Sequence, residues 1–262
     1  MAANKPQSDR KLITRTAKPT SNEPRLLGKV AVVTGGSRGI GHAIARVLAE
    51  EGCSVVITGR DESALSKSAA QITRRLVPGM IVPIVGDVRD EKSVRTLFAE
   101  VKRRFGKVDV LVNNAGITQQ IVTIENTTLE MWRDVLDTNL TGTFLCTRAA
   151  LPMMQAGATI INNLSVAAKR VFAGFATYSA AKRGALGFTL SLREELIPRG
   201  IRVVALMPGA TATDIWDQFM PGAPRERMMS VESVAQAVLV AVLLPPGANL
   251  SELVLEPTSG AL

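Results

Sequence analysis

The chain has 262 residues, of which 46% are hydrophobic and 21% are charged, which is within the range of soluble globular proteins. It contains no run of about 18 apolar residues, which excludes a membrane-spanning helix. Two cysteines and a single histidine are too few for a zinc-type ligand cluster or a histidine-based triad, so no bound metal is expected.

The net charge of +8 is unevenly distributed, because residues 1–25 carry half of it. This segment is rich in Pro, Ser, Thr and Lys, and we predict a flexible basic extension that precedes one domain over residues 26–262. The rest of the chain is mildly basic and only 4% of the chain is aromatic, so neither nucleic-acid nor membrane-surface binding is predicted. The low cysteine content suits a reducing compartment, and we expect a cytoplasmic protein.

Short β-branched runs then alternate with longer helical stretches, a pattern that predicts a parallel sheet with helices on both faces. The predicted strands are Val30–Val33, Ser54–Thr58, Ile81–Val85, Val108–Val112, Thr159–Leu164, Arg202–Leu206 and Leu253–Leu255. The predicted helices are Ile40–Glu50, Glu62–Leu76, Glu91–Phe105, Leu129–Met154, Ala176–Ile197 and Val231–Leu243. The strands are continuous apolar runs, as expected for strands that are buried on both faces.

A glycine-rich turn, Thr34-Gly35-Gly36-Ser37-Arg38-Gly39-Ile40-Gly41, joins the first predicted strand to the first helix. Glycine lets the backbone approach a pyrophosphate, and the N–H groups at a helix start attract phosphates. Ordinary turns also use glycine, so the strand–turn–helix context carries the prediction. We therefore predict an α/β fold with a doubly wound, seven-stranded parallel sheet of Rossmann type. The predicted cofactor contacts in this turn are Gly35, Ser37, Arg38, Gly39, Ile40 and Gly41.

A cation stands at the end of the second predicted strand, where a site for NAD usually carries a carboxylate. The strand ends Ile57-Thr58-Gly59-Arg60. Arg38 and Arg60 could together bind a 2′-phosphate, which predicts NADP(H) as the cofactor. The following Asp61 is expected to cap the next helix. The alternative is that both arginines are solvated surface charges.

Tyr178 and Lys182 lie four residues apart in a predicted helix and therefore on one face of it. A nearby cation favours a phenolate, so Lys182, together with an oxidised nicotinamide ring, is expected to lower the pKa of Tyr178 toward working pH. Tyr178 would then act as a general acid/base. Ser165, at the end of the fifth predicted strand, could donate a hydrogen bond to a substrate carbonyl. Alone, a tyrosine and a lysine at this spacing are also typical of an ordinary helix surface.

The TGxxxGxG turn and the YxxxK pair resemble those of the short-chain dehydrogenase/reductase family, and the resemblance extends from Lys29 to about Glu256. It implies a catalytic tetrad of Asn139, Ser165, Tyr178 and Lys182. In that tetrad Asn139 would hold a water that relays protons to Lys182, and Lys182 would also bond the nicotinamide ribose. The resemblance also implies cofactor contacts from Asp87, Val88, Asn114, Ala115, Gly116, Tyr178, Lys182, Pro208, Gly209, Thr211 and Thr213. A homo-oligomer, either a dimer or a homotetramer, is a further implication.

The segments after the fourth, fifth and sixth strands should line the substrate site, and they hold mostly apolar side chains and no basic cluster. These side chains are Gln119, Gln120, Ile121, Val166, Val171, Phe172, Ile215, Trp216, Phe219 and Met220. We predict a small apolar ketone or alcohol as substrate, with a 3-oxoacyl group as a subordinate candidate. The composition of residues 216–229 indicates a lid. The alternative from another class is a non-catalytic dinucleotide sensor.

Overall fold

A computed structural model describes residues 24–74 and 80–260, and the predicted basic extension lies almost entirely outside them. The described chain forms a seven-stranded sheet with the order β3-β2-β1-β4-β5-β6-β7, and every pairing is parallel. The strands are β1 Val30–Thr34, β2 Ser54–Gly59, β3 Ile81–Val85, β4 Val110–Asn113, β5 Thr159–Asn163, β6 Arg202–Pro208 and β7 Glu252–Leu255. The predicted α/β fold class and the number of strands are confirmed.

Helices connect the strands and cover both faces of the sheet. They are α1 Gly39–Glu50, α2 Glu62–Thr73, α3 Glu91–Phe105, α4 Leu129–Leu136, α5 Gly142–Ala150, α6 Ala176–Leu196, α7 Ile215–Phe219 and α8 Val231–Val242. The fourth strand begins two residues later than predicted, and α2 ends three residues earlier. The short helix α7 was not predicted, because residues 216–229 indicated a lid without regular structure.

The predicted helix Leu129–Met154 was wrong as a single regular helix. A π-turn over Asp137–Thr141 separates α4 from α5. The side chain of Asn139 accounts for it, because Nδ2 donates to the carbonyl of Val135 at 2.9 Å and so competes with the main-chain ladder. At the other end, α5 gives way to a 3-10 turn that contains Pro152, which has no N–H to donate.

The core is divided by the sheet into two layers. Successive strand residues point to opposite faces, so Val33 packs in the layer with α1, α2 and α8, and Val32 packs in the layer with α3, α5 and α6. Cys53 and Cys146 are buried, one in each layer, and burial raises the pKa of each thiol to about 12. Both therefore act as small hydrophobic side chains, as the sequence predicted.

The parallel register brings all strand ends that matter for function to one edge of the sheet. Thr34 pairs with Thr58, and Gly59 pairs with Val85. On the other side of β1, β4 ends at Asn113, which pairs with Asn162 of β5. Ligands of open parallel sheets bind outside this carboxyl edge, so the predicted site residues converge there.

Candidate active site

A cavity of about 430 Å³ opens at the carboxyl edge of the sheet. Every residue that the sequence assigned to the cofactor or to catalysis lies on its wall. These residues are Gly35, Ser37, Arg38, Gly39, Ile40, Gly41, Arg60, Asp87, Val88, Asn114, Ala115, Gly116, Asn139, Ser165, Tyr178, Lys182, Pro208, Gly209, Thr211 and Thr213. The structure thus brings together in one cavity a set of residues that spans nearly 180 positions of the chain.

The glycine turn needs its glycines for two different physical reasons. Gly35 and Gly39 have φ angles of +65° and +57°, which residues with a side chain rarely adopt. Gly41 has an ordinary φ, but a Cβ there would lie 2.3 Å from the carbonyl oxygen of Gly35. The turn therefore folds back on the start of α1 with no room for a side chain at Gly35, Gly39 or Gly41. Its backbone at these positions is left accessible to a ligand.

A set of polar contacts, here called the crossbar, joins the ends of β1, β4 and β5. The hydroxyl of Thr34 accepts from the N–H groups of Asn114 and Ala115, each at 2.9 Å. Asn114 Nδ2 donates to the carbonyls of Thr34 at 2.9 Å and Gly35 at 3.2 Å. Asn163 Nδ2 donates to Asn114 Oδ1 at 2.8 Å. The crossbar fixes the glycine turn relative to the strand end from which Ser165 projects.

Tyr178, Lys182 and Ser165 meet at the side of the cavity where α6 begins. Lys182 is buried, with its ammonium 5.5 Å from the centre of the Tyr178 ring, and it donates to the carbonyl of Asn163 at 3.0 Å. Ser165 Oγ accepts from the N–H of Ala167 at 3.1 Å, and its polar interaction with the phenol of Tyr178 acts to lower the pKa of that group. The hydroxyl pair and the buried cation therefore lie within one small region of the wall.

Burial shifts the proton affinities of this pair in opposite directions. It raises the pKa of Tyr178 to about 12, against the smaller opposing effect of the Ser165 hydrogen bond. Burial lowers the pKa of Lys182 to about 8. In the protein alone the pKa of Tyr178 is raised, so the lowering expected from Lys182 together with an oxidised nicotinamide ring stays a prediction for the cofactor-bound protein. At neutral pH the phenol keeps its proton, and the amine is mostly charged.

Asn139 reaches the same region from the π-turn. Its Nδ2 donates to the carbonyls of Ile117 and Val135, each at 2.9 Å, which fixes the amide. Its buried Oδ1 has no donor among the described residues. A Cβ at Gly116 would lie 2.7 Å from this oxygen and 3.6 Å from Lys182 Nζ. The unpaired Asn139 oxygen and the Lys182 ammonium therefore lie on the same side of Gly116.

Arginines line the opposite end of the cavity. Arg38 extends from the glycine turn and lies 4.0 Å from Asp214, with both side chains largely exposed. Arg60 follows β2, and it contributes to lowering the pKa of Asp87, although the hydrogen bond from Arg89 has the larger effect. Arg89 binds Asp87 at 2.7 Å and Asp134 at 3.2 Å. Sequence reasoning missed Arg89, although it directly follows Asp87 and Val88 at the end of the third strand.

The predicted substrate loops contribute only in part. Val166, Phe172, Ile215, Trp216 and Met220 line the cavity, whereas Gln119, Gln120, Ile121 and Val171 do not, and Val171 is 85% exposed. No side-chain placement is described for Phe219. The α7 segment is tied down by a hydrogen bond of 2.8 Å from Trp216 Nε1 to the carbonyl of Thr211.

Three further residues line the substrate side that the sequence did not assign. The ring of Phe175 lies 6.0 Å from that of Phe172 and 6.2 Å from that of Tyr178, which extends an aromatic surface to the phenol. Arg170 and Glu256 form an ion pair of 2.6 Å across the cavity wall. The loops contain no basic cluster in the sequence, so the sequence did not indicate that Arg170 lines the cavity. Glu256 balances the charge of Arg170.

Two negative findings apply to the described ranges. Within residues 24–74 and 80–260, no group of three or more His, Cys, Asp or Glu side chains is arranged to hold a metal ion. In the same ranges, no helix has the length and apolar character needed to cross a membrane.

Comparison with known proteins places these features in context. A family model described as short chain dehydrogenase matches residues 29–223. A 3-oxoacyl-[acyl-carrier-protein] reductase of Synechocystis is 40% identical over 216 residues, which cover 77% of this chain and 86% of that protein. An uncharacterised oxidoreductase of Staphylococcus saprophyticus is 36% identical and covers 88% of this chain and 98% of its own. A crystal structure of a short chain dehydrogenase from Burkholderia cenocepacia in complex with NADP superimposes with a TM-score of 0.81, at 33% identity, over 90% of this chain and 99% of that one.

Because the backbone of Gly35 lies so close to Gly41, a single added methyl group at Gly41 should lower the stability of the protein. We expect Gly41→Ala to lower the free energy of unfolding by about 1–3 kcal/mol, because the new Cβ collides with the backbone of Gly35. Gly187→Ala is the matched control, since Gly187 lies in α6 with nothing within 4 Å of its Cβ position, and alanine there should add about 0.5–1 kcal/mol. Urea denaturation of both variants measures the difference, and equal stabilities would contradict the model of the turn.

Proposed function

Because the chain belongs to the short-chain dehydrogenase family, we propose that it is an NADP(H)-dependent oxidoreductase that interconverts a ketone and a secondary alcohol. The observation that carries this proposal is the meeting of Ser165, Tyr178 and Lys182 in the cavity that the glycine turn also lines. A phenol and a cation on one helix face are common, but their convergence with a serine on a dinucleotide-type cavity is the arrangement that carbonyl chemistry needs.

The residues of the cavity fit a dinucleotide phosphate. The backbone of the glycine turn approaches the start of α1 without side chains in the way, as a pyrophosphate requires. Arg38 and Arg60 supply cations for an adenosine 2′-phosphate, and Lys182, which lines the same cavity, would bond the nicotinamide ribose. Two of the structural neighbours contain NADP, which supports the same choice. When bound, the nicotinamide supplies hydride to the reacting carbon or accepts it.

In the direction of reduction, the protein's own part is to hold the carbonyl and deliver a proton. Ser165 donates a hydrogen bond to the carbonyl oxygen and stabilises the negative charge that develops there. Tyr178, protonated at neutral pH, transfers its proton to that oxygen. Lys182, buried and mostly charged, stabilises the phenolate that remains. Asn139, with an unpaired oxygen beside Lys182, holds the water through which the proton is replaced.

The wall beside Tyr178 favours a small apolar substrate. Phe172, Phe175 and Trp216 provide aromatic surface there, and Arg170 on that side is already paired with Glu256. A neutral ketone would bury apolar area on this surface without displacing a charge. A 3-oxoacyl group is a specific candidate, because two relatives are named as 3-oxoacyl-[acyl-carrier-protein] reductases.

We also propose a homo-oligomer, a dimer or a tetramer, in the cytoplasm. Support for the assembly comes from apolar side chains exposed on α5 and α6, where Phe144 is 40% and Leu190 is 38% exposed. Such paired apolar helix faces are typical of subunit contacts.

The proton-transfer role predicts that Tyr178→Phe lowers kcat by about 10² to 10⁴-fold, because the general acid is lost. NADPH binding, followed by nicotinamide fluorescence, should persist in the variant, since the ring keeps its packing. Steady-state reduction of a panel of ketones measures the effect. If the unsubstituted protein binds NADPH and reduces no ketone, the proposal of an oxidoreductase gives way to that of a non-catalytic dinucleotide sensor.

The 2′-phosphate assignment predicts that Arg38→Ala and Arg60→Ala each weaken NADPH binding by about tenfold or more, the effect of one charge-assisted hydrogen bond, and leave NADH binding unchanged. Arg95→Ala is the matched control, because Arg95 is as exposed as Arg38 but lies on α3, where it pairs with Glu91. Fluorescence titration with both nucleotides is the measurement. Unaltered NADPH affinity in both variants would show that the two arginines are solvated surface charges.

The aromatic wall predicts that Phe172→Ala lowers kcat/KM for bulky apolar ketones by about tenfold, because apolar contact with the substrate is lost. The neighbouring Val171→Ala serves as the control, since Val171 is 85% exposed and lies off the cavity wall. Rates for ketones of graded chain length separate the two. Equal profiles for both variants would place the substrate elsewhere.

A further inference from the structure

We propose that Asn163 is a positioning residue that sets the direction of the Lys182 ammonium and couples it to the glycine turn. The coupling itself is a property of the fold, and its effect on turnover rests on the proposed function. Asn163 is the last residue of β5, it lines the cavity, and sequence reasoning did not assign it.

The Lys182 ammonium is held at the end of β5. The ammonium is buried and donates to the main-chain carbonyl of Asn163 at 3.0 Å. The structure shows no carboxylate paired with Lys182 among the residues it describes. A dipole, and not a counter-charge, therefore holds the cation in place. The direction of that carbonyl then decides where the ammonium points.

The neighbours of Asn163 determine the orientation of its side-chain amide. Asn114 must present Nδ2 to Thr34 and Gly35, because both partners there are carbonyl oxygens. Its Oδ1 therefore faces Asn163, which in turn must present Nδ2. Asn163 cannot flip its amide without placing two oxygens in contact. The end of β5 is thereby locked to the crossbar.

The remaining polar atom of this side chain is Asn163 Oδ1. With Nδ2 committed to Asn114, the buried Oδ1 of Asn163 has no donor among the described residues. An unpaired buried acceptor costs about 1–3 kcal/mol, so a purely structural role would favour an apolar side chain at this position. The carbonyl of Asn163 accepts from Lys182 Nζ at 3.0 Å, and an acceptor at that distance favours the charged form of the amine.

The groups that face Lys182 are few. Tyr178 is its ionisable neighbour on α6, Asn139 and Gly116 are neutral, and burial is the cause that lowers the pKa of Lys182 to about 8. A change at residue 163 should therefore be visible in the pH dependence of whatever Lys182 controls.

The test uses two substitutions with opposite electrostatic effects. Both substitutions remove the hydrogen bond to Asn114, but Asn163→Asp also adds a carboxylate to the residue whose carbonyl accepts from Lys182, so the alkaline limb of NADPH affinity and of kcat/KM should move up by about one pH unit. Asn163→Leu removes the same hydrogen bond and adds no charge, so the carbonyl that holds Lys182 loses its fixed direction and the limb should move to lower pH. Asn249→Asp and Asn249→Leu are the controls, because Asn249 precedes β7 and donates to Val203, away from the carboxyl edge. Both controls should keep the limb of the unsubstituted protein.

Opposite shifts of the limb in the two Asn163 variants are the expected result. An unchanged limb in both variants, or movement of both in the same direction with a lowered melting temperature, would overturn the positioning role. NADPH fluorescence between pH 6 and 10 gives the affinity profile without turnover. If no ketone is reduced by any form, the proposed function fails while the affinity profile still decides the role of Asn163.

Discussion

The site depends on one constraint, which is that the ends of three parallel strands must be held together where the main-chain ladder stops. The Thr34 hydroxyl and the Asn114 amide do this by satisfying backbone groups of the glycine turn and of residues 114 and 115. These part-buried groups lie where the pairing of β1 with β4 has ended, so side chains replace the main-chain partners on that side. The glycine turn, the β4 loop and the β5 end therefore adopt their positions as one unit.

A second polar layer lies below the crossbar and inside the core. Asn113 donates to Thr147 at 2.9 Å and to Asn162 at 2.8 Å, and Asn162 donates to Thr189 at 2.9 Å. These contacts tie β4 and β5 to α5 and α6, so the helix that carries Tyr178 and Lys182 is fixed to the same strands as the turn. Buried polar contacts of this kind specify one arrangement of a core, whereas apolar contacts tolerate sliding.

Much of this could be predicted from the sequence. The strand runs identified the sheet because buried parallel strands are continuously apolar, and motif spacing placed all the assigned residues on one cavity. Asn163, Arg170 and Glu256 escaped prediction, since their importance comes from partners that are distant in the chain. The pKa of Tyr178 escaped for a related reason, because residue spacing gives the distance to Lys182 but not the desolvation of both groups.

The π-turn over Asp137–Thr141 restricts how the number of residues between α4 and α5 can change. Such a turn contains one residue more than the regular helix needs. Deleting one residue there would restore regular helix geometry and leave α4 and α5 close to their present orientations, because the π-turn absorbs its additional residue locally. The widened turn in which Asn139 Nδ2 bonds the carbonyl of Val135 would then be lost. Substitutions can be accommodated along this helix, whereas its residue count between α4 and α5 is fixed by the site.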